Sequence, residues 1–446
     1  MENFICAAID IGTTTISAVV LDILSEKQLD SFNIENSSDI PTGHSYERIQ
    51  DPKKILQLVR ALIKKIYDKY PRVISMGFTG QMHGILYLDK EGNAVSPLYT
   101  WQDQRGEEYA EEMRVATGYS LSAGYGLVTH YYNMKKGLVP KDAYTFCSIM
   151  DFVLMKTAGL KRPVIHPSVA ASFGLFDIKG KCFDSDALSK LGIDIALPEV
   201  TGDRVIGAYG KTRLAPAIGD NQASVFGSVR DEDGSVLVNY GTGSQVSVIT
   251  DINTAQSPLE VRPYIGGRNI VCGCGLCGGY SYELLENFFS AYAKALGIED
   301  KQYRIMDDIA QRAYDEGKEP LCVSTLFKGT RENADLRGSV MNIGTDNFTP
   351  EQLILGVDYG MAKELYDMYR FCGAGERRTL VASGNGVQKN KVLQSYLKSL
   401  FGMELKLPAK GEEAATGAAM YSFYCLDPSP ETMGDAKSCI EYLGEE

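Results

Sequence analysis

Two glycine–threonine segments have the residue types and the spacing to hold the phosphates of a nucleotide. Their residues are Gly12, Thr13, Thr14, Gly241 and Thr242. Glycine lets the main chain approach a phosphate closely, and successive amides and threonine hydroxyls can donate to its oxygens. One such segment alone is more typical of an ordinary hairpin turn. Two of them, about half the chain apart and each flanked by apolar runs, favour a phosphate site built from both halves.

Two aspartates have the chemistry to act on an alcohol or on a bound metal ion. Asp220, in the sequence Gly-Asp-Asn-Gln-Ala, precedes an apolar run typical of a short helix. A kinase that phosphorylates an alcohol needs a carboxylate to take the hydroxyl proton, and amides at a helix start would keep Asp220 ionised. The alternative is that Asp220 only caps the helix. Asp10, beside the first glycine–threonine segment, is a candidate ligand of Mg²⁺ or an ordinary aspartate at a strand end.

A polar cluster within residues 77–105 has the groups that a sugar pocket needs. Its members are Gln81, His83, Trp101, Gln102, Asp103 and Arg105. Donors and acceptors satisfy sugar hydroxyls, and an indole offers a face to the C–H side of a sugar ring. The alternative interpretation gives His83 internal partners at a strand end and buries Trp101, the one tryptophan, in the core.

The pattern of apolar residues predicts the elements that position these side chains. Residues 4–23 and 235–250 each predict two strands joined by a glycine–threonine turn. Asp51 and Pro52 form a typical helix start, and the apolar residues that follow recur at helical spacing. The run "RVISMGFTG" then predicts a buried strand. A helix and a strand after a hairpin indicate α/β layers.

The repeated hairpin predicts two related domains, residues 1–229 and 230–446, joined near the charged segment "RDEDG". Residues 96–216 give no clear pattern of elements. Towards the end of the chain, a strand, a glycine loop and a helix are predicted around Gly384 and Asn385. The segment "GEEAATGAAMYSFY" predicts a last helix whose small residues permit close approach of another main chain.

Two motifs that suggest other chemistry favour structural interpretations. Tyr209–Thr212 resembles the end of a Walker loop but lacks its first glycine, which indicates a surface turn. Three cysteines lie within residues 272–279, whereas a closed zinc site needs four ligands. Small residues on a buried strand that enters a glycine turn are favoured there.

Composition narrows the partners of the chain. The 446 residues contain 45 Lys and Arg against 57 Asp and Glu, a net charge of -12, which gives no footprint for nucleic acid or an anionic membrane. No apolar run reaches the ~18–20 residues of a membrane span, and no basic N-terminal region predicts export. Ten cysteines therefore indicate reduced thiols in a cytoplasmic protein. The oligomeric state stays open, a homodimer included.

The motifs together, in their order along the chain, resemble the FGGY carbohydrate kinases. They are DIGTTT, GQMHG, TWQDQR, GDNQA, NYGTGS and ASGNG, followed by the alanine-rich helix. The resemblance implies an α/β fold of the actin-like ATPase type, with two ribonuclease-H-like domains that close a central cleft on ATP. TWQDQR resembles the TWQDGR of sedoheptulokinases more than the WNDGR of xylulokinases. This implies ATP- and Mg²⁺-dependent phosphorylation of a ketose at its terminal hydroxyl, with sedoheptulose favoured and xylulose as the alternative.

The resemblance also implies a role for individual residues. It makes Asp220 the catalytic base and places Asp10 near the magnesium ion. The residues that it implies for the sugar site, besides Asp220 and the Gln81 of the polar cluster, are Met82, His83, Trp101, Asp103 and Asn221. The residues that it implies for the nucleotide site are Gly12, Thr13, Thr14, Gly241, Thr242, Gly384 and Asn385.

Ser17 departs from the family pattern, which usually has Lys or Arg at this position facing the γ-phosphate. Without that cation, the developing charge of phosphoryl transfer loses one source of stabilisation. The departure keeps open a second hypothesis, a sensor that binds sugar and nucleotide without turnover. A third hypothesis, an actin-like or chaperone ATPase, shares the phosphate turns but has no use for His83, Trp101 and Asp103.

Overall fold

The computed structural model describes residues 4–330, 333, 335–373 and 375–445. Its strands are β1 (Ile5–Ile11), β2 (Thr15–Asp22), β3 (Lys27–Glu35), β4 (Ile49–Gln50), β5 (Val73–Gly80), β6 (Leu86–Leu88), β7 (Leu98–Tyr99), β8 (Thr145–Cys147), β9 (Val164–Ile165), β10 (Phe176–Asp177), β11 (Cys182–Phe183), β12 (Glu199–Val200), β13 (Gly207–Tyr209), β14 (Thr212–Leu214), β15 (Ser235–Tyr240), β16 (Ser244–Thr250), β17 (Leu259–Pro263), β18 (Asn269–Gly275), β19 (Cys322–Ser324), β20 (Ser339–Met341), β21 (Thr379–Ser383) and β22 (Glu404–Lys406). Its α-helices are α1 (Pro52–Lys69), α2 (Glu107–Thr117), α3 (Gly126–Lys135), α4 (Ile149–Ala158), α5 (Pro167–Ser172), α6 (Ser185–Lys190), α7 (Asp220–Ser228), α8 (Gly279–Ala295), α9 (Tyr303–Asp315), α10 (Pro350–Arg370), α11 (Asn385–Lys389), α12 (Lys391–Phe401), α13 (Glu413–Tyr424) and α14 (Pro430–Ser438). Among the helices described, none combines the length and the apolar character needed to cross a bilayer.

Internal contacts divide the chain into two compact units. Unit 1 contains the chain as far as Arg230, together with residues 262–268 and 410–440. Unit 2 contains residues 231–261, residues 269–409 and the chain from Glu441. Residues 262–268 and 410–440 therefore belong to unit 1, although they lie within residues 230–446, the predicted second domain.

The sheet of unit 1 has six strands in the order β13-β14-β5-β1-β2-β3. β1 and β2 are antiparallel and close on the first glycine–threonine turn, whereas β5 runs parallel to β1. Helix α1 begins as predicted, because the carboxylate of Asp51 accepts from the amides of Lys53 (2.8 Å) and Lys54 (3.3 Å) and Pro52 needs no partner. The predicted hairpin, helix start and buried strand β5 are confirmed.

Helix α13 covers one face of this sheet and determines where Asp10 lies. A Cβ atom at Gly77 of β5 would be 2.1 Å from the carbonyl oxygen of Ala418 in α13, so that only glycine fits there. Side chains two residues apart on a strand share a face, so Thr79 lies on the same face as Gly77. Asp10 is directly opposite Thr79 in the parallel pair and therefore lies on the face that α13 covers.

The small residues of α13 also admit a second helix, α7. A Cβ atom at Gly417 would be only 1.8 Å from the carbonyl oxygen of Ala223, and one at Gly227 would be 2.3 Å from that of Glu413. The predicted close approach is confirmed, and it fixes the helix that begins at Asp220 against the helix over Asp10. The prediction that this is the last helix is wrong, because α14 follows it.

The sheet of unit 2 repeats the strand order of unit 1. Its order is β17-β18-β16-β15-β21-β22, so that β15, β16, β18, β21 and β22 correspond to β1, β2, β3, β5 and β14. β15 and β16 are antiparallel and close on the second glycine–threonine turn, and β21 runs parallel to β15. The predicted second hairpin is confirmed. Cys272 is buried on β18, in agreement with the structural interpretation of the cysteine-rich segment.

Candidate functional site

The first glycine–threonine turn is held by side-chain amides from the segment that follows β3. The Nδ2 of Asn36 donates to the carbonyl oxygen of Gly12 (2.9 Å), and the Nε2 of Gln50 donates to that of Thr13 (2.8 Å). The main-chain amide of Asn36 donates to the carbonyl oxygen of Thr14 (2.9 Å). Three successive carbonyl groups of the turn therefore have partners inside unit 1.

These hydrogen bonds to the carbonyl groups determine the direction in which the main-chain amides of the first turn point. In a planar trans peptide the N–H of one residue points away from the carbonyl of the residue before it. The amides of Thr13 and Thr14 therefore point away from Asn36 and Gln50. Within the described chain these two amides donate to no protein acceptor. The turn thus presents two main-chain donors of the kind that binds phosphate oxygens.

In the second turn, in unit 2, main-chain amides take the place of the side-chain amides and donate to the carbonyl oxygens of the turn. The amide of Gly279 donates to the carbonyl oxygen of Gly241 (2.8 Å). The amides of Gly278 (3.0 Å) and Tyr280 (3.2 Å) donate to that of Thr242. By the same geometry, the amides that follow these carbonyls point away from the start of α8.

Gly384 and Asn385 lie beside the second turn in unit 2. Gly384 has a φ of +102°, and a Cβ atom there would be 2.3 Å from the carbonyl oxygen of Tyr240, the residue before Gly241. Only glycine permits this approach. The side chains at the ends of the two strands are also joined, because the Nδ2 of Asn239 donates to the Oγ of Ser383 (2.7 Å). Unit 2 therefore brings its four predicted nucleotide-binding residues together.

Asp220 is the first residue of α7, and Gly219 is the N-cap, so the prediction that Asp220 caps the helix is wrong. Its Oδ1 accepts from the amide of Asn221 (2.7 Å). Burial raises the pKa of Asp220 to about 6, and this effect outweighs the amide and the positive charge of Arg262, which lower the pKa. The carboxylate is therefore mainly ionised at neutral pH, but with a basicity well above that of an ordinary aspartate.

Asp10 forms an acidic group with Asp220 and Glu412 in unit 1. Burial raises the pKa of Asp10 to about 7, and the negative charges of Asp220 and Glu412 raise it further in the same direction. Next to Asp10, the hydroxyl of Thr79 is fully buried and makes no hydrogen bond with the described residues. The negative charges that raise the pKa of Asp10 would be partly neutralised by a bound cation, so the position favours one.

These oxygens fit a magnesium ion that shares its coordination with phosphate. Among the described residues, no three His, Cys, Asp or Glu side chains converge as a complete metal site. Mg²⁺ usually takes only one or two carboxylates and completes its shell with water and phosphate oxygens. Carboxylate oxygens are its preferred protein ligands, and Asp10 is the candidate among these residues.

Ser17, at the position where the resemblance described above implies a cation, lies between Asp10 and Asn33 across three strands. It is buried, with 6% of its surface exposed. A positive group close to Asp220 is Arg262, whose Nη1 donates to the Oδ1 of Asn221 (3.4 Å). The charge of Arg262 lowers the pKa of Asp220 and partly offsets the effect of burial. Sequence analysis did not identify Arg262, because an arginine at a strand end has no motif of its own.

Three predicted sugar-site residues follow the end of β5. The amide of Gln81 donates to the carbonyl oxygen of Ile11 (3.0 Å), which joins this segment to the first turn. Met82 is buried, and a Cβ atom at Gly219 would be 2.5 Å from its Cε, so Met82 lies against the residue before Asp220. His83 comes next, with a φ of +70°.

A stacking contact and a hydrogen bond help to orient the ring of His83. It stacks on Tyr125, with centroids 4.6 Å apart, and its Nδ1 lies 2.8 Å from the carbonyl oxygen of Ser172. Because a carbonyl only accepts, Nδ1 carries a proton. The interpretation of His83 as a histidine with internal partners is confirmed.

Trp101 is not a core residue. Its side chain is exposed, with 46% of the residue surface accessible, so the core interpretation is wrong. Its Nε1 donates to the Oγ1 of Thr13 (3.1 Å), which in turn lies 3.5 Å from the Oε1 of Gln81. The indole thus joins the polar cluster to the first phosphate turn.

Asp103 and Arg105 form a buried ion pair that shapes the loop after Trp101. The Nε of Arg105 donates to one carboxylate oxygen of Asp103 (2.7 Å) and its Nη2 to the other (3.1 Å). The main-chain amides of Arg48 (3.0 Å) and Arg105 (3.1 Å) donate to the same carboxylate. Both oxygens therefore have two protein donors each. Gln102, between Trp101 and Asp103, is exposed.

A Ser-His-Asp arrangement beneath α7 positions Asp220 and does not form a nucleophile. The amide of Gly219 donates to the Oγ of Ser168 (3.2 Å), which lies 2.8 Å from the Nδ1 of His166. The Nε2 of His166 lies 3.1 Å from the Oδ1 of Asp203. Ser168 is only 1% exposed, so no substrate reaches its hydroxyl. The contact between His166 and Asp203 joins residues 37 positions apart, so no local pattern in the sequence predicts it.

Comparison with known proteins identifies the fold and the family. A model described as "FGGY family of carbohydrate kinases, N-terminal domain" matches residues 5–237. Mouse sedoheptulokinase is 24% identical over 461 residues, which cover 92% of this chain and 96% of the mouse protein.

Solved structures show the same architecture. A ligand-bound xylulose kinase from Lactobacillus acidophilus has a TM-score of 0.83 at 18% identity, covering 99% of this chain and 93% of its own. A Plasmodium falciparum glycerol kinase with ADP has a TM-score of 0.79 at 17% identity, covering 98% and 92%. The fold is that of the actin-like ATPases, with the two six-stranded α/β sheets described above.

Proposed function

Because the chain belongs to the FGGY family of carbohydrate kinases, we propose that it transfers the γ-phosphoryl group of ATP to the terminal hydroxyl of a ketose, with sedoheptulose as the substrate. That it is a sugar kinase follows from its family. What we propose is the identity of the sugar and of the nucleotide, together with the roles of the individual residues. The observation that carries it is the carboxylate of Asp220, whose pKa burial raises to about 6 and whose charge acts on Asp10, next to a turn with outward amides.

In the proposed mechanism, Asp220 accepts the proton of the attacking hydroxyl. A carboxylate with a raised pKa is a stronger base, and general bases of this kind contribute about 10²–10⁴-fold to a rate. The side chains of His83 and Gln81 would orient the sugar, and the amides of Thr13 and Thr14 would bind the phosphates. Bound Mg²⁺ neutralises charge on phosphate oxygens, and Asp10 is the residue that would hold it.

Arg262 is the proposed source of positive charge in place of the missing cation at Ser17. Charge develops on the transferred group during phosphoryl transfer, and a guanidinium stabilises it. The structural support is that Arg262 already acts on the carboxylate of Asp220 and contacts Asn221.

A cytoplasmic location is part of the proposal. Burial raises the pKa of the thiols of Cys6, Cys147 and Cys425, so these thiols stay protonated and unreactive in a reducing compartment.

Sedoheptulose is proposed over xylulose because the motif TWQDQR and the similarity to mouse sedoheptulokinase both favour it. The test is a panel of ketoses, including sedoheptulose, xylulose, ribulose and fructose, with MgATP and coupled detection of ADP. The proposal predicts the highest kcat/KM for sedoheptulose. Equal kcat/KM for sedoheptulose and xylulose would contradict the substrate, and no sugar-dependent ADP with any ketose would contradict the activity.

A sensor without turnover is the second candidate, and the observation that favours it is Ser17. It predicts that calorimetry detects binding of ATP and of a ketose while the coupled assay detects no ADP. The two candidates therefore give opposite results in the same pair of experiments.

A further inference from the structure

Gln50, which no sequence motif marks, connects the sugar side of unit 1 to the first phosphate turn. We propose that Gln50 is a positioning residue through which a bound ketose increases the affinity for nucleotide, and that Trp101 reports both ligands. The inference rests on the proposed function, because it concerns the same ketose and nucleotide.

The side chain of Gln50 is completely buried, and both its amide nitrogen and its amide oxygen bond to residues of other segments. Its Nε2 donates to the carbonyl oxygen of Thr13 (2.8 Å) and to the Oδ1 of Asp39 (2.9 Å). Its Oε1 accepts from the Nε2 of Gln81 (2.9 Å). A buried amide that loses such partners is strongly disfavoured, so the side chain has one orientation. Gln50 therefore ties the turn to the residue that begins the candidate sugar segment.

The main chain of Gln50 is connected to the loop that carries Trp101. β4 and β7 are antiparallel, with Gln50 opposite Leu98. The amide of Thr100, the residue before Trp101, donates to the carbonyl oxygen of Arg48 (3.0 Å). The indole of Trp101 also contacts the first turn, because its Nε1 donates to the Oγ1 of Thr13 (3.1 Å).

These contacts form a closed ring from Gln50 through Thr13 and Trp101 and back through β7 and β4. A ketose that packs on the exposed indole would fix Trp101 and hence the hydroxyl and carbonyl of Thr13. The turn would then need less ordering to bind phosphate, which raises nucleotide affinity. Linkage requires the reciprocal effect, in which nucleotide raises ketose affinity by the same factor.

Trp101 makes this coupling measurable without a label. It is the only tryptophan of the chain, is 46% exposed and donates to the phosphate turn. Its emission should therefore change when the β,γ-imido analogue of ATP binds alone, and also when sedoheptulose binds alone.

The experiment measures the dissociation constant of the imido analogue by calorimetry, with and without saturating sedoheptulose. Allosteric couplings are typically about 5–150-fold, and we expect a ratio in this range for the unchanged protein. Gln50→Leu and Trp101→Phe should each reduce the ratio below about twofold. The matched control is Gln104→Leu, the same substitution at an exposed residue outside the ring, which should keep the full ratio.

A merely structural role for Gln50 would lower the active fraction but leave the ratio of dissociation constants unchanged. Trp101→Phe keeps an aromatic ring at an exposed position, so it tests the ring of contacts even if Gln50→Leu does not fold. A ratio near one in the unchanged protein, or a full ratio in Trp101→Phe, would overturn the inference.

Failure of the proposed function gives a different result. In that case no ketose binds or is phosphorylated by the unchanged protein. The link from Gln50 to the turn is then tested by the emission change with the imido analogue alone. That change should be present in the unchanged protein and in Gln104→Leu and at least fivefold smaller in Gln50→Leu, and an equal change in all three would overturn it.

Discussion

The two glycine–threonine turns have the same strand frame but different supports. In unit 1 the carbonyls of the turn accept from the side-chain amides of Asn36 and Gln50, and from one main-chain amide. In unit 2, within the part of the chain that the structure describes, they accept from main-chain amides at the start of α8, around Gly278. Both supports direct the amides that follow these carbonyls away from the support, so the same orientation of the turn is reached in two ways.

The difference shows which of the two turns a single side-chain substitution can alter. A main-chain support requires glycine, because a Cβ atom at Gly278 would be 2.0 Å from the carbonyl oxygen of Gly243. A side-chain support can be altered by one substitution without moving the main chain. The side-chain support is also the one connected to the candidate sugar residues, through Gln50 and Gln81. We infer that unit 1 has the adjustable turn and unit 2 the fixed one.

The largest effect is expected for the chemical step, which depends on Asp220 and on neither turn. Asp220→Asn keeps the size of the side chain but removes the base, so kcat should fall about 10²–10⁴-fold. Binding of sedoheptulose and of the imido analogue, measured by calorimetry, should change little, because neither turn is altered. An unchanged kcat would remove Asp220 from the mechanism.

The second-largest effect is expected when the main-chain support of the turn in unit 2 is disrupted. Gly278→Ala forces a methyl group against main chain, and overpacking of this kind costs about 1–3 kcal/mol or more. The free energy of unfolding, from urea denaturation, should fall accordingly, and nucleotide binding should weaken. For the free energy of unfolding, Gly241→Ala is the matched control in the same turn, because its Cβ would have no atom closer than 3.9 Å. Equal losses of free energy of unfolding in the two variants would contradict the assignment of Gly278 as the support.

A third, smaller effect is expected at the adjustable turn. Asn36→Ala leaves the carbonyl oxygen of Gly12 without its donor but introduces no clash. An unsatisfied buried group costs about 1–2 kcal/mol. The KM for ATP should rise with little change in kcat. If Asn36→Ala cost more free energy of unfolding than Gly278→Ala, the proposed contrast between the supports would be reversed.

The smallest effect is a shift of the pH profile. The base must be deprotonated, so log(kcat/KM) should fall on the acid side with a limb near the pKa of Asp220, about 6. Arg262 lowers this pKa, so Arg262→Met should raise it and move the limb to higher pH. A limb at the same or a lower pH in Arg262→Met would show that Arg262 does not act on the base.

The sequence predicted the parts of the fold that depend on local patterns. Both hairpins, the start of α1 at Asp51 and the close approach at Gly417 follow from spacing and residue size. The region 96–216 could not be assigned, because its helices are short and depend on packing. Helix α5, for example, has six residues.

The candidate site was predicted as a set of residues but not as a set of contacts. Asn36, Gln50 and Arg262 act through partners far away in sequence, and a single side chain with such a role has no periodicity or motif. Asp220 was expected to respond mainly to helix amides, whereas burial has the larger effect on its pKa. The extent of burial follows from the packing of α7 on α13, which the sequence of either helix alone does not specify.

The central claim is that the glycine–threonine turn of each unit is a phosphate-binding element. It is tested most directly by calorimetry of the imido analogue with Thr14→Val and Thr242→Val, since both threonines are exposed and both variants remove one hydroxyl. The prediction is that each variant weakens binding about tenfold, as the loss of one hydrogen bond to a charged group would. An unchanged dissociation constant for either variant would contradict it.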